Sequence, residues 1–435
     1  MSRWILALYS GLMRMAQPLL RRKMAKRALQ EPGYAQAVDE RFGRYTQPIE
    51  IKSELVWLHA VSLGETRTAA VLLKALRAKH PGLRLLLTHG TATGRAEGRA
   101  LLLPGDIQVW QPWDTRVVVE RFFEHFKPRL GLLMETEVWP CTVDAAKARG
   151  MPLALVNGRL SDKTLEQALS MSPLAYPAYG ALAAVYAQTA VEAKRYRQLG
   201  VDAAGVFGNL KFDAAPSLAQ QAMGKQWRQS LPQPVVMFAS SREGEENLFL
   251  HQIKAIALVN RAQTASDLIA IKYLIVPRHP QRFDEVAALV AQHGLTLSRR
   301  SSWQGSPLEN QEAILADIWL GDSLGEMALY YALSSVALLG GSFEKLGGQN
   351  LIEAAACGCP VVMGPHTFNF SEAAELAEAA GAALRVADIA AGFQQACKLA
   401  RDDRMQSESS KAALAFAAAH QGATDKTVHA LERYL

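Results

Sequence analysis

A few polar side chains stand at the ends of apolar runs, where a folded chain presents residues for chemistry. Residues 57–69 read WLHAVSLGETRTA, and Glu65 follows Ser62 and Gly64 into the first turn of a helix. A carboxylate held there can take a proton from a hydroxyl, or it can simply face the positive end of the helix dipole. Residues 132–140 read LLMETEVWP. Glu135 and Glu137, two apart on an extended segment, share one face and can pair with a cation, accept from hydroxyls or share a proton. Asn157, Arg159 and Ser161 close a third run, and Arg159 has the fork geometry that grips an anion. Lys211, in GNLKFD (208–213), can stabilise a phosphate or developing negative charge, or be a solvated hinge lysine.

The second half offers anion-binding chemistry. In IVPRHPQRF (275–283) Pro277 and Pro280 restrict the turn that carries Arg278 and His279, and a rigidly held arginine suits phosphate. In GDSLGEM (321–327) Asp322 and Ser323 read as helix caps, with Leu324, Gly325 and Glu326 behind them. Gly340, Gly341 and Ser342 close a strand, and Gly347, Gly348, Gln349 and Asn350 are expected to open a helix over Leu351, Ile352 and Glu353. Free N–H groups at such a start bind phosphate, and Glu353 can accept from hydroxyls.

These residues need elements to hold them. Past residue 50, short apolar runs alternate with helical stretches: 55–61, 83–88, 107–112, 130–135, 153–157 and 183–188, then 235–241, 268–277, 313–320, 336–341 and 361–364. Continuous apolar strands alternating with helices imply parallel sheets covered on both faces. The pattern restarts near 208–218, where Gly, Asp and Pro cluster. The expectation is therefore an α/β chain of two Rossmann-like, doubly wound domains facing a cleft, 45–210 and 211–435, after an N-terminal segment 1–44. Ligands in such sheets sit beyond the carboxyl ends of the strands. Neither half has G-x-G-x-x-G after its first strand, and no G-x-x-x-x-G-K-[ST] occurs. A dinucleotide dehydrogenase and a P-loop NTPase are both disfavoured.

The chain has 435 residues, 49% apolar and 20% charged, and a net charge of +6. That is globular composition with room for two or three domains. Residues 1–44 carry nine Lys or Arg and three acids, leaving 38 of each sign in the remainder. The excess is local, which argues against a general nucleic-acid surface. Within it, Arg3, Ser10, Arg14, Gln17 and Arg21 form a polar stripe. Trp4, Ile5, Leu8, Leu12, Met15, Leu19 and Leu20 form an apolar arc, followed by a basic cluster at 21–27. That describes an interfacial anchor on an anionic membrane, with packing on the protein itself as the other reading. The longest uncharged run of this segment, the ten residues between Arg3 and Arg14, is half of the roughly 20 that a span needs, and Pro18 should break the helix. The four cysteines have no zinc-ligand spacing.

In this order, S-x-G-E, E-T-E-x-W-P, N-x-R-L-S, G-x-L-K-F-D, P-R-H-P-x-R-F, G-D-[ST]-x-G-E-M and G-G-x-N-x-x-E resemble the 3-deoxy-D-manno-octulosonic acid (Kdo) transferases of lipopolysaccharide assembly, over most of the chain. The resemblance implies a GT-B glycosyltransferase at the cytoplasmic face of the bacterial inner membrane, held by residues 1–30. It implies an acceptor domain at 45–210 and a CMP-sugar donor domain at 211–435. Transfer runs from CMP-Kdo to a lipid A precursor such as lipid IVA, with inversion and with neither metal nor cofactor. Glu65 matches the family's general base; Glu135 and Lys211 match its transition-state-stabilising positions. Pro277, Arg278, Leu324, Gly325, Glu326, Asn350, Leu351, Ile352 and Glu353 match its CMP-binding positions. Ser62, Glu137, Arg159, Ser323, Ser342 and Gly348 are secondary candidates. Gln349 stands where the family's motif has histidine, and Cys141 where it has asparagine. A UDP-sugar transferase or epimerase on the same plan is the alternative.

Overall fold

The computed structural model describes residues 3–52, 54–262 and 270–435, with the side chains of 257–262 left aside. The chain forms two compact units, Met1–Ala214 with Gln421–Leu435, and Ala215–His420. The first holds strands β1 (Leu55–His59), β2 (Arg84–His89), β3 (Ile107–Trp110), β4 (Leu130–Met134), β5 (Leu153–Gly158), β6 (Ala184–Ala187) and β7 (Gly205–Val206). The second holds β8 (Val235–Ser241), β9 (Lys272–Pro277), β10 (Leu297–Arg299), β11 (Ile318–Leu320), β12 (Val336–Leu339), β13 (Val361–Met363) and β14 (Ala383–Arg385). Each set makes one parallel sheet, ordered β3-β2-β1-β4-β5-β6-β7 and β10-β11-β9-β8-β12-β13-β14. The expected alternation is there. The 313–320 run divides into the helix Gln311–Leu315 and β11, and residues 268 and 269 of another run lie outside the described residues.

The strands are buried on both faces because each face meets its own layer of helices. In β1, Leu55 and Trp57 enter one core with Val119, Phe122 and Phe126. Val56 and Leu58 enter the other with Leu72, Leu73 and Leu76 of the helix Leu63–Lys79. This is the period-2 division of a strand between two layers.

Two boundaries differ from the sequence expectation. Residues 421–435 were expected in the second domain, but they return to the first unit. Asp213 accepts from the N–H groups of Gly422 and Thr424 and so caps the helix Ala423–Leu431. Ala423, Val428 and Leu431 then bury beside Leu72 and Leu76. Residues 1–44, expected as a separate anchor, also belong to the first unit. Helix α1 (Arg3–Met15) ends just before α2 (Gln17–Ala28), and Pro18 in the first turn of α2 marks the break. Leu6 enters the core, Trp113 Nε1 donates to the Met13 carbonyl, and Ser10 Oγ accepts from the Arg116 N–H. Ser10 therefore faces the protein rather than extending a solvent stripe. Trp4, Leu8, Leu12, Met15 and Leu19 remain exposed, from 53% to 86%. Among the described residues, no helix is long and apolar enough to cross a membrane.

Replacing the capping carboxylate by Asp213→Ala should cost about 1–2 kcal/mol of stability, the usual value of an N-cap. Urea unfolding monitored by circular dichroism checks this. An unchanged midpoint would mean that apolar packing alone holds the C-terminal helix.

Candidate active site

The first unit gathers its candidates where its strand order reverses. β1 lies between β2 and β4, and His59 of β1 pairs with Leu133 of β4. The next crossovers run toward opposite edges of the sheet, and such a switch point opens a crevice at the strands' carboxyl ends. Glu65 leaves β1 there; Glu135 and Glu137 leave β4.

Ser62 caps the helix Leu63–Lys79. Its Oγ accepts from the Glu65 N–H at 3.3 Å and donates to Glu65 Oε1 at 3.0 Å. The Val61 N–H donates to Glu65 Oε2 at 2.9 Å. This is a reciprocal box that fixes the carboxylate. Gly94 lets the next helix press against the turn, since a Cβ there would stand 2.9 Å from the Val61 carbonyl. Burial raises the Glu65 pKa, and the charges of Glu135 and Glu137 add to it, against the Val61 and Ser62 hydrogen bonds. Burial and the two neighbouring charges together outweigh the hydrogen bonds, so Glu65 is a stronger base than an exposed glutamate.

Glu135 has φ +56, a left-handed conformation uncommon for a side chain of this kind. Its N–H donates to the Val156 carbonyl and its own carbonyl accepts from the Arg159 N–H. Its carboxylate lies 3.2 Å from Lys211 Nζ, an ion pair without good hydrogen-bond alignment. Lys211 is held by its own turn. Asn209 Oδ1 accepts from its N–H, and buried Asn157, also at positive φ, accepts from the Leu210 N–H at 3.0 Å. Glu137 accepts from Trp139 Nε1 at 2.8 Å and lies 3.8 Å from Nε2 of buried His59. The helix that follows is capped from outside, by Asp114, which accepts from the N–H groups of Cys141 and Thr142. Arg159 is exposed, and Ser161 caps the helix Asp162–Ser170.

In the second unit β8 lies between β9 and β12, again at a reversal. Arg278 follows β9; its N–H donates to the Ser241 carbonyl and its Nε donates to Gln349 Oε1 at 3.1 Å. The loops after β8, β9 and β12 are thereby tied together. Burial and the charges of Arg242, Arg278 and Arg282 lower the His279 pKa. Gly347 and Gly348 both have positive φ, and a Cβ on Gly347 would stand 2.5 Å from Asn369. These residues form an irregular connection rather than the expected helix start. The helix begins at Ile352, spans five residues, and its first N–H is taken by Asn350 Oδ1. Burial raises the Glu353 pKa.

Leu324 is exposed, Gly325 has positive φ, and the Gly325 carbonyl accepts from Gln220 Nε2. Glu326 pairs with Arg300 at 3.0 Å and accepts from Ser323. Ser342 is fully buried: its hydroxyl donates to the Leu339 carbonyl and accepts from the Gly364 N–H, tying β12 to β13. Glu245 was not singled out from the sequence. It is buried and accepts from the N–H groups of Arg242, Gly341, Phe343 and Glu344. Its sequence signal is the acidic stretch 243–246 after a strand, which departs from the family's usual motif at 240–246. His59 and Asn157 looked like strand and turn residues. Among the described residues, no group of three or more His, Cys, Asp or Glu is placed to hold a metal ion.

The family model of 3-deoxy-D-manno-octulosonic-acid transferase (kdotransferase) matches residues 36–214. The 3-deoxy-D-manno-octulosonic acid transferase of Bordetella pertussis is 47% identical over 385 residues, covering 87% of each chain. That of Haemophilus influenzae is 31% identical over 370 residues, covering 84% of this chain and 83% of its own. Among solved structures, MurG of Acinetobacter baumannii superposes with a TM-score of 0.53 at 14% identity, over 87% of this chain and 99% of its own. That likeness concerns the fold and agrees with the GT-B architecture. On the strength of the full-length relatives, the chain belongs to the 3-deoxy-D-manno-octulosonic acid transferase family of glycosyltransferases.

Proposed function

We propose that the protein transfers Kdo from CMP-Kdo to a lipid A precursor such as lipid IVA, with inversion and without a metal ion. The observation that carries this reading is the Glu65 carboxylate. It stands at the switch point of the first sheet, fixed by Val61 and Ser62, with its proton affinity raised. Glu65 takes the proton of the acceptor's primary hydroxyl as that oxygen bonds to the anomeric carbon. The bond from that carbon to the phosphate oxygen breaks, and CMP leaves as an anion. A leaving phosphate needs charge stabilisation more than a proton. Arg278 and Lys211 are the cations assigned to it, and Glu135 holds Lys211 in place. Pro277, Leu324, Gly325, Glu326 and Asn350 through Glu353 are assigned to CMP. Glu353, the second residue of its short helix, is suited to accept from ribose hydroxyls.

A lipid acceptor stays in its membrane, and we assign the N-terminus to that surface. The exposed row of Trp4, Leu8, Leu12, Met15 and Leu19, beside exposed Arg22, Lys23 and Lys26, has the make-up of an interfacial helix. An anionic leaflet adds about 1 kcal/mol per basic residue near its surface. On this reading the protein works at the cytoplasmic face of the inner membrane.

Glu65→Gln should lower kcat by at least about 100-fold, the scale of a positioned base, with CMP-Kdo binding kept. In the unaltered enzyme kcat/KM should fall on acidification through a limb above the ordinary glutamate value of about 4.3. Near-normal turnover of the variant would remove Glu65 as the base. Arg278→Ala should weaken CMP binding, read by calorimetry, and the parent protein should be thermally stabilised by CMP more than by UDP. Unchanged affinity, or a preference for UDP, would contradict the donor assignment. A chain lacking residues 1–30 should no longer sediment with anionic liposomes; undiminished sedimentation would overturn the anchor.

A further inference from the structure

The carboxylate beside the base is held by a chain of polar side chains that no part of the proposed reaction uses. Trp57 Nε1, which can only donate, bonds Thr88 Oγ1 at 2.8 Å. Thr88 Oγ1 lies 2.8 Å from His59 Nδ1, and the Thr88 carbonyl lies farther off at 3.2 Å. With its oxygen accepting from Trp57, the Thr88 hydroxyl places its proton on His59 Nδ1, so the imidazole carries its own proton on Nε2. The other tautomer would leave the Thr88 proton unused and aim a lone pair at a carboxylate. Nε2 is buried, makes no hydrogen bond, and faces Glu137 Oε2 at 3.8 Å. Trp139 Nε1 donates to the same Oε2 at 2.8 Å. The chain is directional: Trp57 to Thr88 to His59 to Glu137, with Trp139 closing on the same oxygen.

We propose that His59 and Glu137 are positioning residues that act on the base Glu65 through the Glu137 carboxylate, held by the Trp57–Thr88–His59 chain. The gap at Nε2 is longer than a hydrogen bond, as ligand-free catalytic contacts often are, and a movement of less than about 1 Å closes it. Glu137 remains ionised despite burial, because His59 and Trp139 outweigh the desolvation. Its charge, with that of Glu135, pushes the Glu65 pKa upward. The other groups around the couple are His89 on β2, held neutral with a pKa of about 3 chiefly by burial, and Tyr179, itself raised by burial and by Glu137. Lys211 is engaged by Glu135. Among the described residues, Glu137 is thus the ionised neighbour of Glu65 that pairs with no lysine or arginine. This inference rests on the assignment of Glu65 as the base of Kdo transfer.

The test compares the full-length protein with Glu137→Gln and Thr88→Val, in Kdo transfer from CMP-Kdo across pH. Glu137→Gln keeps an acceptor for Trp139 and removes the charge. Losing a negative neighbour favours ionised Glu65, so the acid limb of kcat/KM should move to lower pH. The weaker base should lower kcat by roughly a few-fold, following Brønsted behaviour, with KM for CMP-Kdo unchanged. Thr88→Val should lower kcat in the same way and by less. Independent of turnover, the 15N shifts of His59 should show a proton on Nε2 in the parent and a change of tautomer in Thr88→Val. A wild-type kcat and pH limb in Glu137→Gln would overturn the proposal, as would a parent tautomer protonated on Nδ1 alone. So would losses that track only the folded fraction, measured by thermal unfolding. If the parent transfers Kdo and these fail, only the couple falls; if the parent transfers none, the reading of the whole site falls with it.

Discussion

β1 and β4 lie side by side in parallel at the centre of the first sheet, and the chain departs from them toward opposite edges. That single topological fact places the turn 59–65 next to the turn 135–139. The carboxylates they carry are 70 residues apart in sequence, and they reach one another because the strand order reverses between them. The same reversal around β8 brings the loops after β8, β9 and β12 together in the second unit. Glu245 and the Arg278–Gln349 contact then stitch those loops. A doubly wound sheet can accept very different chemistry at this position, which is why the fold alone does not name the reaction.

The electrostatics of the first site follow from crowding. Three carboxylates occupy two adjacent turns, and the helix start and hydrogen bonds at Glu65 favour its charged form. Burial and the neighbouring charges oppose that and prevail. Glu135 is matched to Lys211, whereas Glu137 is matched to a neutral donor and an imidazole. The site divides its acids by their partners. One is paired with a full cation, one is held ionised by the Trp139 donor and the nearby imidazole, and one is left with the raised proton affinity that a base requires.

Much of this was legible in the sequence, for identifiable reasons. The long central strands announce themselves as continuous apolar runs, and Ser62, Gly64 and Glu65 after the first of them signal a helix start. The edge strands β7, β10 and β14 are two or three residues long and too short to show a period. The return of residues 421–435 rests on two backbone hydrogen bonds to Asp213, a contact across some 200 residues that no local pattern reveals. Ser342 looked like a loop-end hydroxyl, but both of its hydrogen-bonding roles are spent between strands. His59 looked like one residue inside the apolar run 55–61; its meaning comes from Thr88 on the neighbouring strand and Glu137 in the turn after another. Gln349, where the family pattern has histidine, still accepts from Arg278 and so keeps a positioning contact without a titratable ring.

Movement of Kdo from a cytidine nucleotide onto a lipid can be read from the acceptor itself. Mass spectrometry of the lipid after incubating the purified protein with CMP-Kdo and lipid IVA tests it most directly. The lipid should become heavier by one or more whole Kdo units, with an equal amount of CMP released. A lipid of unchanged mass, or one that gains a sugar only from a UDP donor, would contradict it.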